Sequence, residues 1–109
     1  MLVVVDAENV RRSLWPNLSR EELVARARGW GVREGHELLI VFDGEAPEDA
    51  PDVRGSAYAD DEIVSIATTI DVPYWLVTSD RGLRARASPG AERVIGGGAF
   101  ARLLRDQAP

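Results

Sequence analysis

Three apolar runs in this chain each lead to an aspartate, and that pattern restricts its fold more than any other feature. Leu2-Val3-Val4-Val5 runs into Asp6, and Glu37-Leu38-Leu39-Ile40-Val41-Phe42 runs into Asp43. Val72-Pro73-Tyr74-Trp75-Leu76-Val77 passes through Thr78-Ser79 to Asp80. Short, continuous apolar runs are the signature of strands covered on both faces. A weaker run of the same kind is Glu92-Arg93-Val94-Ile95. Between the runs lie helical patterns. Ser19-Arg20-Glu21-Glu22 reads as a capping box opening a helix that continues to about Trp30 and closes at Gly31. Ile63, Ile66, Ala67 and Ile70 recur at helical spacing after Asp60, as do Phe100, Leu103 and Leu104 between Gly98 and Arg105. Strands alternating with helices predict an α/β fold with a central parallel sheet of about four strands and right-handed crossovers. The 109 residues are expected to form one domain, 1–109, with residues 106–109 a frayed tail. Gly44 to Gly55, with Pro47, Pro51 and several acids, reads as a surface loop or flap.

A parallel sheet puts the C-terminal ends of all its strands on one edge, where such folds bind their ligands. Asp6, Asp43 and Asp80 therefore share a rim, and Asp60-Asp61-Glu62 joins them if the helix it opens precedes the Tyr74–Val77 strand. Carboxylates gathered in this way repel one another unless cations lie between them. Oxygen donors without His or Cys suit Mg²⁺ or Mn²⁺ rather than zinc. Such a site activates water and stabilises charge on a phosphodiester. Singly, each acid has a plainer reading. Asp60 and Asp80 serve as helix caps, Asp43-Gly44 as a turn, and Asn9 as the cap of a short first helix. Caps chosen independently, however, have no reason to select a single edge.

Arg81 follows Asp80 directly and suits a phosphate contact, whereas Arg84 and Arg86 read as a solvated helix face. Trp15 has two readings, stacking on a base or packing against a helix. His36 reads as a surface residue, and Gly96-Gly97-Gly98 as a turn.

Composition removes several classes of chemistry. All 13 basic residues are arginine, which excludes Schiff-base lysines, a P-loop lysine and the lysine of haloacid-dehalogenase-type phosphatases. The absence of cysteine excludes disulfides, thiolate zinc sites and a Cys nucleophile, and it fits a cytoplasmic protein. With 45% hydrophobic and 28% charged residues, and no apolar run long enough to span a bilayer, the chain reads as globular with no membrane partner.

Four segments resemble one family. Val4-Val5-Asp6-Ala7-Glu8-Asn9-Val10 resembles the opening D-x-x-N motif of NYN domains, a branch of the PIN-like nuclease superfamily. Ile40-Val41-Phe42-Asp43-Gly44 and Ala59-Asp60-Asp61-Glu62-Ile63 are similar to the second strand and the A-D-D-x-I helix start of its YacP-like group. Leu76-Val77-Thr78-Ser79-Asp80-Arg81 resembles the T-S-D strand end of PIN-like domains. Together they cover residues 3 to 86 in family order. The resemblance implies a three-layer α/β/α PIN-like fold and a metal-dependent endoribonuclease. In that reading Asp6, Asp60 and Asp80 are the catalytic metal ligands, Asp61 an alternative or second ligand, and Asp43 an outer one. Asn9 orders the first-strand loop or touches substrate, and Ser79 and Arg81 lie near the phosphate. Ala7-Glu8 departs from the usual Gly-Tyr and removes a base-stacking tyrosine from that place.

A net charge of −5 implies weak binding to free RNA and delivery by a partner such as the ribosome. The apolar last helix leaves room for a homodimer or another protein partner. Two rival readings stand beside the nuclease: a non-catalytic PIN-like module that binds RNA or protein, and a toxin-type PIN ribonuclease. A haloacid-dehalogenase-type phosphatase fails, because its D-x-D would need an aspartate where Glu8 stands.

Overall fold

The computed structural model describes residues 1–106. In chain order these form β1 (Leu2–Asp6), α1 (Ala7–Arg11), α2 (Arg20–Glu34), β2 (Glu37–Asp43), β3 (Val53–Ser56), α3 (Ala59–Thr69), β4 (Tyr74–Val77), α4 (Arg81–Ala87), β5 (Arg93–Ile95) and α5 (Gly97–Asp106). All pairings in the sheet are parallel, in the order β3-β2-β1-β4-β5. The sheet therefore has five strands rather than about four.

The added strand, β3, lies inside the stretch expected to be loop. Val-Arg-Gly-Ser has no apolar run, and only Val53 of the four is buried, as suits an edge strand paired on one side. Gly55 is needed there because a Cβ would lie 2.5 Å from the Gly44 carbonyl oxygen and 2.6 Å from the Ala46 nitrogen.

β1 is central, and Val3, Val4 and Val5 are completely buried. Successive side chains of a strand face opposite ways, and the two cores follow that alternation. Val3 and Val5 pack with Ile40 and Phe42 beneath α1, α2 and α5, where Leu23, Trp30 and Phe100 close the layer. Val4 packs with Val41 and Leu76 against Ile63 and Ile66 of α3 and Leu83 of α4. The result is three layers, α/β/α. Burying valines of this kind stabilises the fold by about 1.5–3 kcal/mol each.

The helix ends differ from expectation in instructive ways. Ser19 caps α2 as its sequence predicts, its hydroxyl accepting from the Glu22 N–H at 3.0 Å. The helix continues through Gly31 and ends at Gly35, which takes a left-handed φ of 74°. Gly31 serves a different purpose: a Cβ there would lie 2.9 Å from the His36 carbonyl oxygen and collide with Leu38. α5 reaches Asp106, so the expected frayed tail begins no earlier than 107–109, outside the described residues. Among the described residues no helix is long and apolar enough to cross a membrane.

The chain leaves β1 to build β2 and β3 on one side and later crosses to β4 and β5 on the other. A crevice therefore opens above the C-terminal ends of β1 and β4, where strand order reverses.

Candidate active site

That crevice is a cavity of about 730 Å³ lined by Asp6, Asp43, Asp60, Asp61 and Asp80. The five aspartates picked out in the sequence thus meet at one place. Asp6 ends β1 opposite Val41 of β2, Asp43 ends β2 two residues further on, and Asp80 follows β4 three residues after Val77, so all three lie at the C-terminal edge, with Asp6 deepest. Asp60 and Asp61 arrive from the other side, on the first turn of α3.

Asp6 is only 7% exposed. Its Oδ2 accepts from the hydroxyl of Thr78 at 2.8 Å, and the same Thr78 oxygen accepts from the Asp80 N–H at 3.1 Å. Thr78 is completely buried and links the two carboxylate positions. Thr78, rather than the Ser79 expected from sequence, makes this contact, and its signal in the sequence is a hydroxyl directly after a buried strand. Burial holds the Asp6 carboxyl above the ordinary aspartate range; the Thr78 hydrogen bond opposes that shift, and the charges of Asp60 and Asp80 reinforce it.

The capping explanation divides the two helix-start aspartates. Asp80 is indeed the N-cap of α4, its Oδ1 accepting from the Leu83 N–H at 2.8 Å. Asp60 is not a cap: Tyr58 holds that position, without a side-chain hydrogen bond. Among the described residues no hydrogen bond or ion pair occupies the Asp60 carboxylate. Although solvent reaches it, partial burial and then the charge of Asp80 push its carboxyl up, with Arg86 opposing and Asp43 and Asp61 adding to the rise. An acid held among like charges without a structural partner costs stability, and a ligand is what would offset that cost. Asp61, by contrast, pairs with Arg86 at 3.0 Å.

Asn9 lies within α1 rather than capping it. Its Oδ1 accepts from the Ser79 N–H at 2.9 Å, and the Ser79 hydroxyl accepts from the Gly97 N–H at 2.8 Å. These two side chains therefore tie α1, the β4–α4 loop and the start of α5 together. Asn9 lines the cavity as well. Gly97 is a close-approach glycine and not a turn residue, since a Cβ there would run into the Asn9 side chain and lie 3.0 Å from the Ser13 hydroxyl.

The arginines are placed differently from expectation. Arg81 is exposed at the start of α4 and is not part of the cavity wall. Arg86, further along the same helix, lines the cavity with Arg12. The Arg84 Nε donates to the Thr78 carbonyl oxygen at 2.8 Å and so braces the β4 end. Glu8, at the position of the missing tyrosine, meets Arg11 at 2.6 Å, Arg20 at 3.6 Å and Arg12 at 4.0 Å. Burial alone would raise its carboxyl, but those guanidinium groups hold it below the ordinary range. An aromatic ring is nevertheless present. Tyr58 is 73% exposed at the cavity rim, a position with no helical or strand periodicity to reveal it.

The converging donors are all oxygens and all anionic, which suits a hard cation. Among the described residues no three His, Cys, Asp or Glu side chains are gathered tightly enough to enclose an ion. The described side chains thus form no closed cage, and what this open rim would suit is a hydrated Mg²⁺, reached by some of the carboxylates directly and by the others through its waters.

No protein-family model matches the chain, and no curated protein matches it in sequence. Its fold is similar to that of Rae1 (YacP) from Bacillus subtilis. A crystal structure of a tryptophan-to-leucine mutant of that protein aligns with a TM-score of 0.75 at 21% identity, over 97% of this chain and 75% of that one. A second structure of the same protein aligns with a TM-score of 0.67 at 17% identity, over 97% and 74%. The likeness shows a shared fold.

Proposed function

We propose that the chain is a metal-dependent endoribonuclease whose cavity takes an RNA phosphodiester. The observation that carries this reading is Asp60, a carboxylate that caps no helix and has no hydrogen bond or ion pair among the described residues, set among Asp6, Asp43 and Asp80 at the sheet's switch point. The four sequence motifs that resemble YacP-like NYN domains support it, as does the shared fold with Rae1 (YacP).

In this reading Asp6, Asp60 and Asp80 hold Mg²⁺ or Mn²⁺, with Asp43 and Asp61 at the margin. When bound, the cation supplies charge neutralisation at the phosphate and a water acidic enough to attack phosphorus. The protein's own part is positional. Thr78 fixes the orientation of Asp6 through its hydroxyl, and α4 fixes Asp80 through the cap it makes. Arg86 and Arg12 present guanidinium groups to phosphate oxygens in the role first given to Arg81. Tyr58 offers an aromatic face to a base beside the cleavage point. Asn9 and Ser79 hold the floor of the cavity instead of gripping substrate. Delivery of RNA by the ribosome or another partner belongs to the same proposal and follows from the chain's acidity.

The test is cleavage of labelled single-stranded and structured RNA after dialysis against EDTA, followed by return of Mn²⁺ or Mg²⁺. The expected result is no cutting in EDTA, recovery with metal, and loss of that recovery in Asp6→Asn and Asp80→Asn. RNA left intact under every metal, with no Mn²⁺ binding by calorimetry, would sink the proposal in favour of a non-catalytic module.

A further inference from the structure

Trp15 has the largest exposure of any bulky apolar side chain among the described residues, 87%. The packing explanation open to it from sequence therefore does not hold. Its indole stands at one side of a second groove, of about 240 Å³, between the segment after α1 and the helices α2 and α5. Leu14 and Leu18 form apolar wall beside it, and Arg11, Arg26 and Arg105 supply its cations against a single lining acid, Glu22. Arg11 is also on Glu8 at 2.6 Å, Arg26 on Glu22 at 3.9 Å and Arg105 on Asp106 at 3.6 Å, the latter two loose, solvated pairs that a phosphate can replace. Two of those arginines are fixed by the backbone. Arg11 donates to the Leu18 carbonyl oxygen and Arg26 to that of Leu104, each at 3.3 Å.

The contrast with the carboxylate cavity is one of charge. There six acids face two arginines; here three arginines face one acid. The two are also neighbours in the chain. α1 begins after Asp6 and is only five residues long, about 7.5 Å, and its end leads through Arg12 and Ser13 of the cavity wall to Leu14 and Trp15. A flat, solvent-facing aromatic ring set among guanidinium groups is the combination that holds single-stranded nucleic acid: the base stacks and the backbone meets the cations.

We propose that this groove is an RNA-strand subsite, in which Trp15 stacks an unpaired base while Arg105 and Arg26 meet adjoining phosphates of a strand that leaves the carboxylate cavity past Arg12. It rests on the proposed function and adds where the acidic chain finds its affinity for the substrate. It also predicts that the contact acts on binding more than on chemistry.

The probe is a fluorescein-labelled single-stranded oligouridylate of about ten nucleotides, titrated in EDTA so that it stays intact. Binding should quench Trp15, since Trp30 is only 4% exposed, and Trp15→Ala should abolish the quench, which separates it from half-buried Trp75. Trp15→Ala should weaken binding about tenfold, and Trp15→Phe should recover part of the loss. Arg105→Ser should lower the slope of log Kd against log salt by about 0.7. In cleavage with Mn²⁺ the Trp15→Ala defect should fall on KM rather than kcat. The 87% exposure of Trp15 makes an unchanged Tm the expected folding control.

Wild-type RNA cleavage with Trp15→Ala binding within about twofold of wild type would overturn the subsite and leave the nuclease standing. Sedimentation showing a wild-type dimer that Trp15→Ala dissolves, at equal RNA affinity, would overturn it as well and assign the groove to a second copy. A wild-type chain that neither binds nor cuts RNA would overturn both proposals together.

Discussion

Asp6 ionises in surroundings that penalise its charge. Burial comes first among the causes, with Asp60 and Asp80 behind it and Thr78 opposing. The folded-state pKa therefore lies above the unfolded one. Between the two values the folded chain binds more protons, so stability falls as pH rises through that window, and the penalty is complete above it. Asp6→Asn keeps an oxygen for the Thr78 hydroxyl and removes the charge. In chelator at pH 7 the variant should melt higher than the parent by several degrees, the scale on which about 1 kcal/mol acts in a domain of this size. The gap should narrow as pH is lowered toward the ordinary aspartate range. Scanning calorimetry across that pH series checks it, and an Asp6→Asn chain that melts lower at pH 7 would show that the carboxylate is structural. At this scale the sequence displayed the acids but not their duties. That Asp80 caps and Asp60 does not is decided by where α3 begins, one residue before Asp60, and helix starts are poorly marked in sequence.

Among elements, the edge strand β3 depends on attachments made by side chains. Arg28 of α2 holds Asp52, just before β3, with two hydrogen bonds of 2.8 Å, and reaches Glu48 at 2.6 Å. The Arg28 hydrogen bond dominates the lowering of the Asp52 carboxyl, with burial opposing it. A depressed carboxylate contributes stability that is present above its unfolded pKa and lost as pH falls through the folded one. Asp52→Asn should therefore cost no more than about 1 kcal/mol at pH 7, because the pair is partly solvated. The difference from wild type should vanish below the ordinary aspartate range. Urea unfolding at pH 7 and at acid pH measures both, and a cost unchanged in acid would contradict the ion-pair account. β3 also shows why a strand went unread. It is short, polar and covered on one side only, so its place comes from pairing with β2, which hydrophobic periodicity does not encode. The strands β1, β2 and β4 were legible because both their faces are buried. Gly31 and Gly35 show the same limit at a helix end: sequence announces a glycine, but only packing against Leu38 tells close approach from termination.

For the whole molecule, net charge conceals an arrangement. The chain is acidic by five charges, yet its acids concentrate at the sheet's C-terminal rim and an arginine-lined groove lies beside them. The rim was readable from three strand ends, because a parallel sheet brings such ends together whatever lies between. The groove was not, since Arg11, Arg26 and Arg105 come from separate parts of the chain and meet only in the fold. For the same reason Tyr58 went unnoticed and Arg86 read as solvated helix face, although both line the cavity. The central claim is that this rim exists for cation-dependent cutting of RNA, and Asp60 isolates it because no cap or ion pair is lost with its charge. Single-turnover cleavage of end-labelled RNA in Mn²⁺ should slow by about a hundredfold or more in Asp60→Asn, with Tm unchanged or raised. Cleavage by Asp60→Asn within about twofold of wild type would contradict the account.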